Sequence, residues 1–308
     1  MVPQPLPLSD YLSDIWKPNL FANTTVFCTG GSGTICSAQV RALVHLGANA
    51  CIVGRNTQKV EDMAESIKTA RQGSKILGIG GVDVREIESL QEAVEKCVSE
   101  LGGIDLVIAG AAGNFLSPLS GLSANAFKSV IDIDLLGSFN TFKATIPHLL
   151  HSHLLDSPRA TGQRLPSPNL TPSILFISAT FHYTSFPTQA HASAAKAGVD
   201  ALSANIAVEY GPLGIRSNIL APGPIEGTEG MKRLSIPGRE QEMTSRVPLG
   251  RWGTVREIAD ATIWVMGEGA RFVNGTGVVV DGGAWRTQTY VDYPGGLADA
   301  VKSEKSKL

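Results

Sequence analysis

Short apolar runs alternate with longer segments of helical spacing along most of this chain. The runs are rich in Val and Ile and are apolar at consecutive positions, which predicts strands buried on both faces of a parallel sheet. The predicted strands are 25–29, 50–53, 76–80, 106–109, 174–177, 217–220 and 278–280. Predicted helices lie near 35–46, 57–72, 86–101, 124–150, 192–210 and 255–266. This alternation of strands and helices predicts a doubly wound α/β fold.

The alternation spans one continuous region, so we expect a single Rossmann-like domain over residues 22–288. A proline-containing lead-in, residues 1–21, precedes it, and a tail, residues 289–308, follows. Residues 151–173 interrupt the pattern with Pro, Ser, Thr and Asn, which is typical of an inserted surface loop.

Composition narrows the possible partners. The 308 residues include 43% hydrophobic and 18% charged ones, and the formal net charge is -2. Without a basic excess we expect no nucleic-acid partner. The apolar stretch 104–113 is too short to span a bilayer, so we expect no membrane span. The cysteines lack zinc-ligand spacing, which predicts reduced core thiols and no metal; they are Cys28, Cys36, Cys51 and Cys97.

The two ends of the sequence bear on its compartment. The N-terminal residues lack the basic and apolar regions of a secretory signal. The last three residues, Ser306-Lys307-Leu308, match the peroxisomal address that an import receptor recognises. We therefore expect a peroxisomal matrix protein with that receptor as a partner.

A glycine-rich turn follows the first predicted strand and opens the first predicted helix. Such a turn lets the backbone approach a pyrophosphate at a helix N-terminus. Its candidate cofactor-binding residues are Gly30, Gly31, Ser32, Gly33 and Ile35. Arg55 ends the second strand, where an arginine suits the 2′-phosphate of NADP; the alternative is a solvated loop arginine. Asp83 after the third strand is a candidate for the adenine amine, with a plain turn aspartate as the alternative.

Several motifs together resemble the short-chain dehydrogenase/reductase family over residues 22–285. They are the turn 29–35, the segment 109–113, Lys196 in a helix, 215–218 leading to Pro222-Gly223, and 280–283. The turn departs from the family pattern, because Thr34 and Cys36 stand where later glycines fall. The resemblance implies further cofactor contacts from Ala111, Lys196, Pro222, Gly223 and Ile225.

The catalytic hydroxyls of that family are missing here. Ala192 occupies the position of its tyrosine, and Ala179 that of its serine. Ordinary alcohol–ketone chemistry needs an acid on the carbonyl oxygen, so the substitutions argue against it. Asp134 stands in an otherwise apolar helix and would need a partner if buried, for which Lys196 is the candidate. The alternative is an exposed aspartate beside Asp132.

This combination resembles the peroxisomal 2,4-dienoyl-CoA reductases, and the segments 108–115 and 127–140 are similar to the fungal members. The resemblance implies NADPH-dependent reduction of a 2,4-dienoyl-CoA to a 3-enoyl-CoA. Hydride adds to the distal diene carbon, and a proton reaches the α carbon through Asp134, Lys196 and water. It also implies that Asn114 donates to the thioester oxygen; a turn asparagine is the alternative.

The expected substrate is an acyl-CoA, whose phosphates need basic partners. Candidate substrate residues are Arg85, Lys232 and Arg233 for the phosphates, and Asn114, Phe115 and Leu116 for the acyl thioester. His191, His182 and Tyr183 fall near the site, but a lone histidine is more often structural. The resemblance further implies a homodimer or homotetramer.

Two other interpretations remain open. One is a different acyl-thioester reductase, such as an enoyl or 3-oxoacyl reductase, of which the missing tyrosine disfavours the second. The other is a non-catalytic NADP-binding sensor or scaffold, which the loss of both hydroxyls and two glycines motivates. Against the scaffold, Asp134 with Lys196 provides a coherent replacement acid.

Overall fold

Seven parallel strands form one sheet in a computed structural model that describes residues 3–152, 170–235 and 238–287. The strand order is β3-β2-β1-β4-β5-β6-β7. The strands are β1 Thr25–Thr29, β2 Asn49–Val53, β3 Ile76–Ile79, β4 Leu106–Ala109, β5 Ser173–Ile177, β6 Arg216–Pro222 and β7 Gly277–Val280. Each predicted strand is present within two residues at each end. The order reverses between β1 and β4, and ligands of such sheets bind at that crevice, beyond the carboxyl ends of the strands.

The helices cover both faces of the sheet, and the doubly wound fold is confirmed. They are α1 Thr34–His45, α2 Thr57–Lys68, α3 Ile87–Leu101, α4 Ala124–Val130, α5 Gly137–Leu149, α6 Phe181–Thr184, α7 Ala190–Tyr210, α8 Glu229–Leu234, α9 Glu240–Ser245 and α10 Val255–Met266. The short helices α6, α8 and α9 lie in segments where no helix was predicted. Each has at most six residues, too few for a clear apolar periodicity.

The expectation of one regular helix over 124–150 is wrong in its middle. A π-helical turn, Ile131–Leu136, separates α4 from α5. Beyond it, Gly137 lies so close to Val84 that a Cβ atom would stand 2.5 Å from Val84 Cγ2. The wider turn carries Asp134, and π turns of this kind are frequent at functional sites.

Side chains at alternate positions of each strand pack into two apolar layers, one on each face of the sheet. In β1, Val26 and Cys28 pack in the layer formed with α1, α2 and α10, whereas Phe27 packs in the layer formed with α3, α5 and α7. Burial on both faces is what the continuous apolar runs predicted. The resulting core holds the strand ends, and therefore the loops of the crevice, in place.

The lead-in packs on the domain. Tyr11, Leu12 and Phe21 are buried in the same layer as α1 and α10. The Trp16 indole N–H donates to an Asp260 carboxylate oxygen on α10 at 2.7 Å. The segment 3–21 is thus part of the packed structure.

Some predictions fall on residues that the structure does not describe. They are most of the insert, 153–169, and the tail from residue 288 with its Ser306-Lys307-Leu308. Within the described ranges, none of the helices combines the length and apolarity that a membrane crossing requires. All four cysteines are described, buried and free.

Candidate active site

The glycine turn joins β1 to α1 beneath the crevice. Gly30 has a φ of +67°, a region that side chains avoid, and a Cβ there would stand 2.8 Å from Gly110 O. Gly33 is the N-cap of α1 and supplies no side-chain hydrogen bond. The first-turn N–H groups of α1 are therefore not capped by the N-cap side chain, and the helix dipole favours an anion there. This arrangement fits the pyrophosphate of a dinucleotide.

The departure from the family's glycine pattern has a structural compensation. Cys36 lies in the first turn of α1 and faces Gly110, which follows β4. A Cβ on Gly110 would stand 2.2 Å from Cys36 Sγ. The absent side chain at 110 makes the room that the cysteine occupies.

Candidate contacts for the adenosine half of a cofactor follow β2 and β3. Arg55 is exposed at the end of β2, and Ser32 Oγ lies 3.8 Å from the position of a Cβ on the adjacent Gly54. Asp83 pairs with Arg85, whose Nε and NH2 donate to its carboxylate at 2.9 and 2.5 Å. The hydrogen bonds from Arg85 lower the pKa of Asp83, although burial opposes them.

Asp134 and Lys196 meet beyond the carboxyl ends of β4 and β5. Asp134 is 1% exposed and Lys196 6%, and Asp134 Oδ2 lies 3.0 Å from Lys196 Nζ. The expected contact is therefore present, and the exposed-aspartate alternative is wrong. Asp134 Oδ1 also accepts from Gly113 N at 2.7 Å, and Lys196 Nζ donates to Ile177 O at 2.9 Å.

These contacts leave one lysine N–H unused. Lys196 and the Gly113 N–H both donate to the Asp134 carboxylate. The Lys196 ammonium carries three N–H groups, and among described residues two acceptors engage it. One N–H is left for a group bound in the crevice.

The positions of the family's hydroxyls are apolar in the structure. Ala192 is buried on α7 in a small cluster with Val130 and Ala195, and Phe115 and Phe181 pack against it. Ala179 is half-buried just beyond β5. Neither position offers an acid to a carbonyl oxygen, whereas Asp134 and Lys196 are ionisable groups of the same region.

Asn114 contacts the start of α7. Its Nδ2 donates to Gln189 Oε1 at 2.6 Å, and Gln189 Nε2 donates to Phe115 O at 3.0 Å. His191 Nε2 lies 3.1 Å from the same carbonyl oxygen, and its ring stacks on Phe115 with centroids 4.2 Å apart. Burial lowers the pKa of His191, which favours the neutral ring.

The remaining substrate candidates divide between two places. Arg233 on α8 is exposed and donates to Asn114 O at 2.6 Å, and Lys232 pairs with Glu229. Arg85 follows β3 at the far edge of the sheet, so the structure does not bring it together with Arg233. Pro222 ends β6 and is followed by Gly223 and the buried Ile225.

Two groups of polar residues were missed by the sequence reasoning. One is Gln189, which showed no motif and is recognisable only from its contacts. The other surrounds Asp200, one helical turn after Lys196, whose carboxylate accepts from Ser178, His182 and Tyr183 at 2.6, 2.8 and 2.8 Å. His182 and Tyr183 were expected near the site, whereas Asp200 and Ser178 were not. The i, i+4 spacing of Lys196 and Asp200 is a further sequence signal for this group.

Known proteins share this fold and sequence. A family model described as enoyl-(acyl carrier protein) reductase matches residues 31–284. A short chain dehydrogenase from Bacillus anthracis has a solved structure with a TM-score of 0.72 and 32% identity, covering 88% of this chain and 99% of its own. Levodione reductase, at 24% identity and a TM-score of 0.75, shares the fold.

The relatives identified by sequence similarity indicate a narrower class of enzyme. The peroxisomal 2,4-dienoyl-CoA reductase SPS19 [(3E)-enoyl-CoA-producing] of Saccharomyces cerevisiae is 48% identical over 95% of this chain and 94% of its own. The peroxisomal 2,4-dienoyl-CoA reductase of Rattus norvegicus is 37% identical over 91% and 89%. The chain belongs to the short-chain dehydrogenase/reductase family. Within that family it is a member of the 2,4-dienoyl-CoA reductases.

Proposed function

We propose that this protein reduces 2,4-dienoyl-CoA thioesters to 3-enoyl-CoA thioesters in the β-oxidation of unsaturated fatty acids. The buried Asp134–Lys196 pair carries the proposal, because it puts ionisable groups where the two family hydroxyls are absent. The names of the relatives support the reaction, and two of them specify a (3E)-enoyl product. The names also place the reaction in peroxisomes, the compartment expected from Ser306-Lys307-Leu308.

The proposed cofactor is NADPH. A nicotinamide cofactor belongs to this class of reductase, and the open N-terminus of α1 fits its pyrophosphate. Arg55, with Ser32 and Gly54 beside it, would hold the 2′-phosphate, since a guanidinium donates to phosphate oxygens in pairs. Asp83 would accept from the adenine amine. When bound, NADPH supplies the hydride that the distal diene carbon takes.

Residues of the chain itself would stabilise the developing negative charge and deliver the proton. Negative charge spreads from the diene to the thioester oxygen, which needs hydrogen-bond donors but no proton. Asn114 would donate to that oxygen through the Nδ2 proton that Gln189 does not use. A water held by the third Lys196 N–H would deliver the proton to the α carbon and take a proton from the Lys196 ammonium in return, which solvent would later restore; Asp134 would orient the lysine.

Other residues would bind the acyl-CoA. Phe115 lies beside Ala192 and Phe181, an apolar surface suited to the acyl chain. Arg233 and Lys232 on α8 are the proposed contacts for CoA phosphates, and Arg85 would serve only a phosphate at the β3 edge. We also propose a homo-oligomer, because Phe127, Leu136 and Phe139 expose apolar surface along α4, the π turn and α5. Light scattering of the purified protein measures its assembly size.

NADPH oxidation with 2,4-hexadienoyl-CoA tests the function, with crotonyl-CoA and acetoacetyl-CoA as comparison substrates. Turnover of the dienoyl thioester alone, with the double bond of the product between C3 and C4, supports the proposal. Turnover of crotonyl-CoA would instead support an enoyl reductase, the activity that the family model's description names. NADPH binding without turnover of any of the three would support the scaffold.

A further inference from the structure

Asn114 and Phe115, in the loop after β4, contact Gln189 and His191 at the start of α7. We call these four residues the bridge. Gln189 and His191 are both 0% exposed, so their polar atoms depend on contacts within the protein. Three hydrogen bonds join the bridge, at 2.6, 3.0 and 3.1 Å. Asn114 Oδ1 is buried and has no partner among described residues. The bridge therefore surrounds an unsatisfied atom of the residue proposed to contact the thioester.

The contacts determine which way each carboxamide points. Phe115 O can only accept, so Gln189 must turn Nε2 toward it, and Gln189 Oε1 then faces Asn114. Because that oxygen also only accepts, Asn114 must present Nδ2 to it. The orientation of Asn114 is thus imposed through Gln189 by a backbone carbonyl. His191 reinforces it, since it donates from Nε2 to the same carbonyl oxygen.

We propose that Gln189 is a positioning residue that keeps the amide nitrogen of Asn114, and not its oxygen, available to the substrate. The inference rests on the proposed function, in which the thioester oxygen needs a donor. One N–H of Asn114 is used by Gln189, and the other is free to donate. Without Gln189 the amide can turn over and place Oδ1 against the thioester oxygen, where two acceptors repel. Loss of one such donor typically lowers kcat about 100-fold or more.

A double-mutant cycle tests the proposal. Gln189→Met and Asn114→Ala are each expected to lower the single-turnover rate with 2,4-hexadienoyl-CoA about 100-fold. The double variant is expected to be no slower than Asn114→Ala alone, because Gln189 acts through Asn114. If Gln189 had only a structural role, its replacement would lower the rate further in the Asn114→Ala background. Losses that multiply, or an unchanged rate in Gln189→Met, would overturn the proposal.

Gln39→Met is the matched control. Gln39 is likewise 0% exposed, but it bonds Thr262 away from the crevice. Its replacement is expected to lower the melting temperature and leave the rate unchanged. NADPH binding and thermal melting report whether each variant folds, and Gln189→Leu replaces Gln189→Met if that variant does not.

A second measurement separates this inference from the proposed function. Hexanoyl-CoA carries the same thioester carbonyl and cannot react, so calorimetry of its binding needs no turnover. If wild-type protein does not reduce the dienoyl thioester, the proposed function fails. Hexanoyl-CoA binding that is about 5-fold weaker in Gln189→Met than in wild type would still support the inference. The same substitution should not weaken binding further when Asn114 is already alanine. Equal binding by wild type and Gln189→Met would refute it.

Discussion

Replacing Asp134 by alanine is the sharpest test of the central ion pair. The change leaves the Lys196 ammonium buried without its partner at 3.0 Å and removes the acceptor of the Gly113 N–H. Breaking a buried pair typically costs about 3–5 kcal/mol, and an orphaned buried donor about 1–3 kcal/mol. Because both costs arise at one site and are not additive, we expect the lower part of this combined range, about 4 kcal/mol.

Urea unfolding followed by circular dichroism measures this loss. Asp132→Ala on the same π turn is the matched control, because Asp132 pairs with the exposed Lys128; we expect about 0.5 kcal/mol or less there. Asp134→Asn keeps an acceptor for Gly113 and removes the charge. It should therefore lose less stability than Asp134→Ala, yet still lose about 100-fold or more in turnover.

The double variant Asp134→Ala with Lys196→Met completes the test. Replacing both charges by apolar groups is often nearly neutral for stability, so it should be more stable than Asp134→Ala, although inactive. The reasoning is refuted if Asp134→Ala is no less stable than Asp132→Ala, or if it turns over at the wild-type rate.

Three further predictions concern the cofactor turn and acid stability. Arg55→Ala should raise KM for NADPH about tenfold and leave KM for NADH nearly unchanged, as steady-state kinetics with both cofactors will show. Gly30→Ala should prevent NADPH binding in fluorescence titrations, because its φ is +67° and its Cβ would crowd Gly110 O. Burial raises the pKa of Asp200, but hydrogen bonds, the strongest from His182, outweigh it and hold the pKa below 3.8. Its stabilisation is therefore present above that value and lost as pH falls through the folded pKa, and acid unfolding of Asp200→Asn should depend less on pH.

The strands were predictable because each is a short continuous apolar run that both faces of the sheet bury. The same holds for α1 and α10, whose apolar positions recur at helical spacing. The π turn at Ile131–Leu136 was not predictable in this way. It adds a residue to a helical turn without changing the apolar composition. Gly137, the next residue, packs closely against Val84, 53 residues earlier in the chain.

Within the site, the sequence was enough to identify residues whose type or position is unusual. Asp134 stood out as a charge among apolar neighbours, Arg55 followed from its place at the end of the second strand, and Lys196 followed from its position in the family pattern. Gln189 carried no such signal, because a glutamine beside a helix start is ordinary in sequence. Its part in the bridge depends on Phe115 O, 74 residues away along the chain.

The sequence by itself determined the strands and most of the longer helices along the chain, the family and the absence of the two hydroxyls, because these depend on residue type and local spacing. Only the tertiary structure decided that Asp134 faces Lys196, that Gly110 makes room for Cys36, and that Asn114 is oriented through Gln189. Each of these is a contact between segments far apart in the chain. Such contacts exist only once the packed sheet holds the strand ends together at one edge.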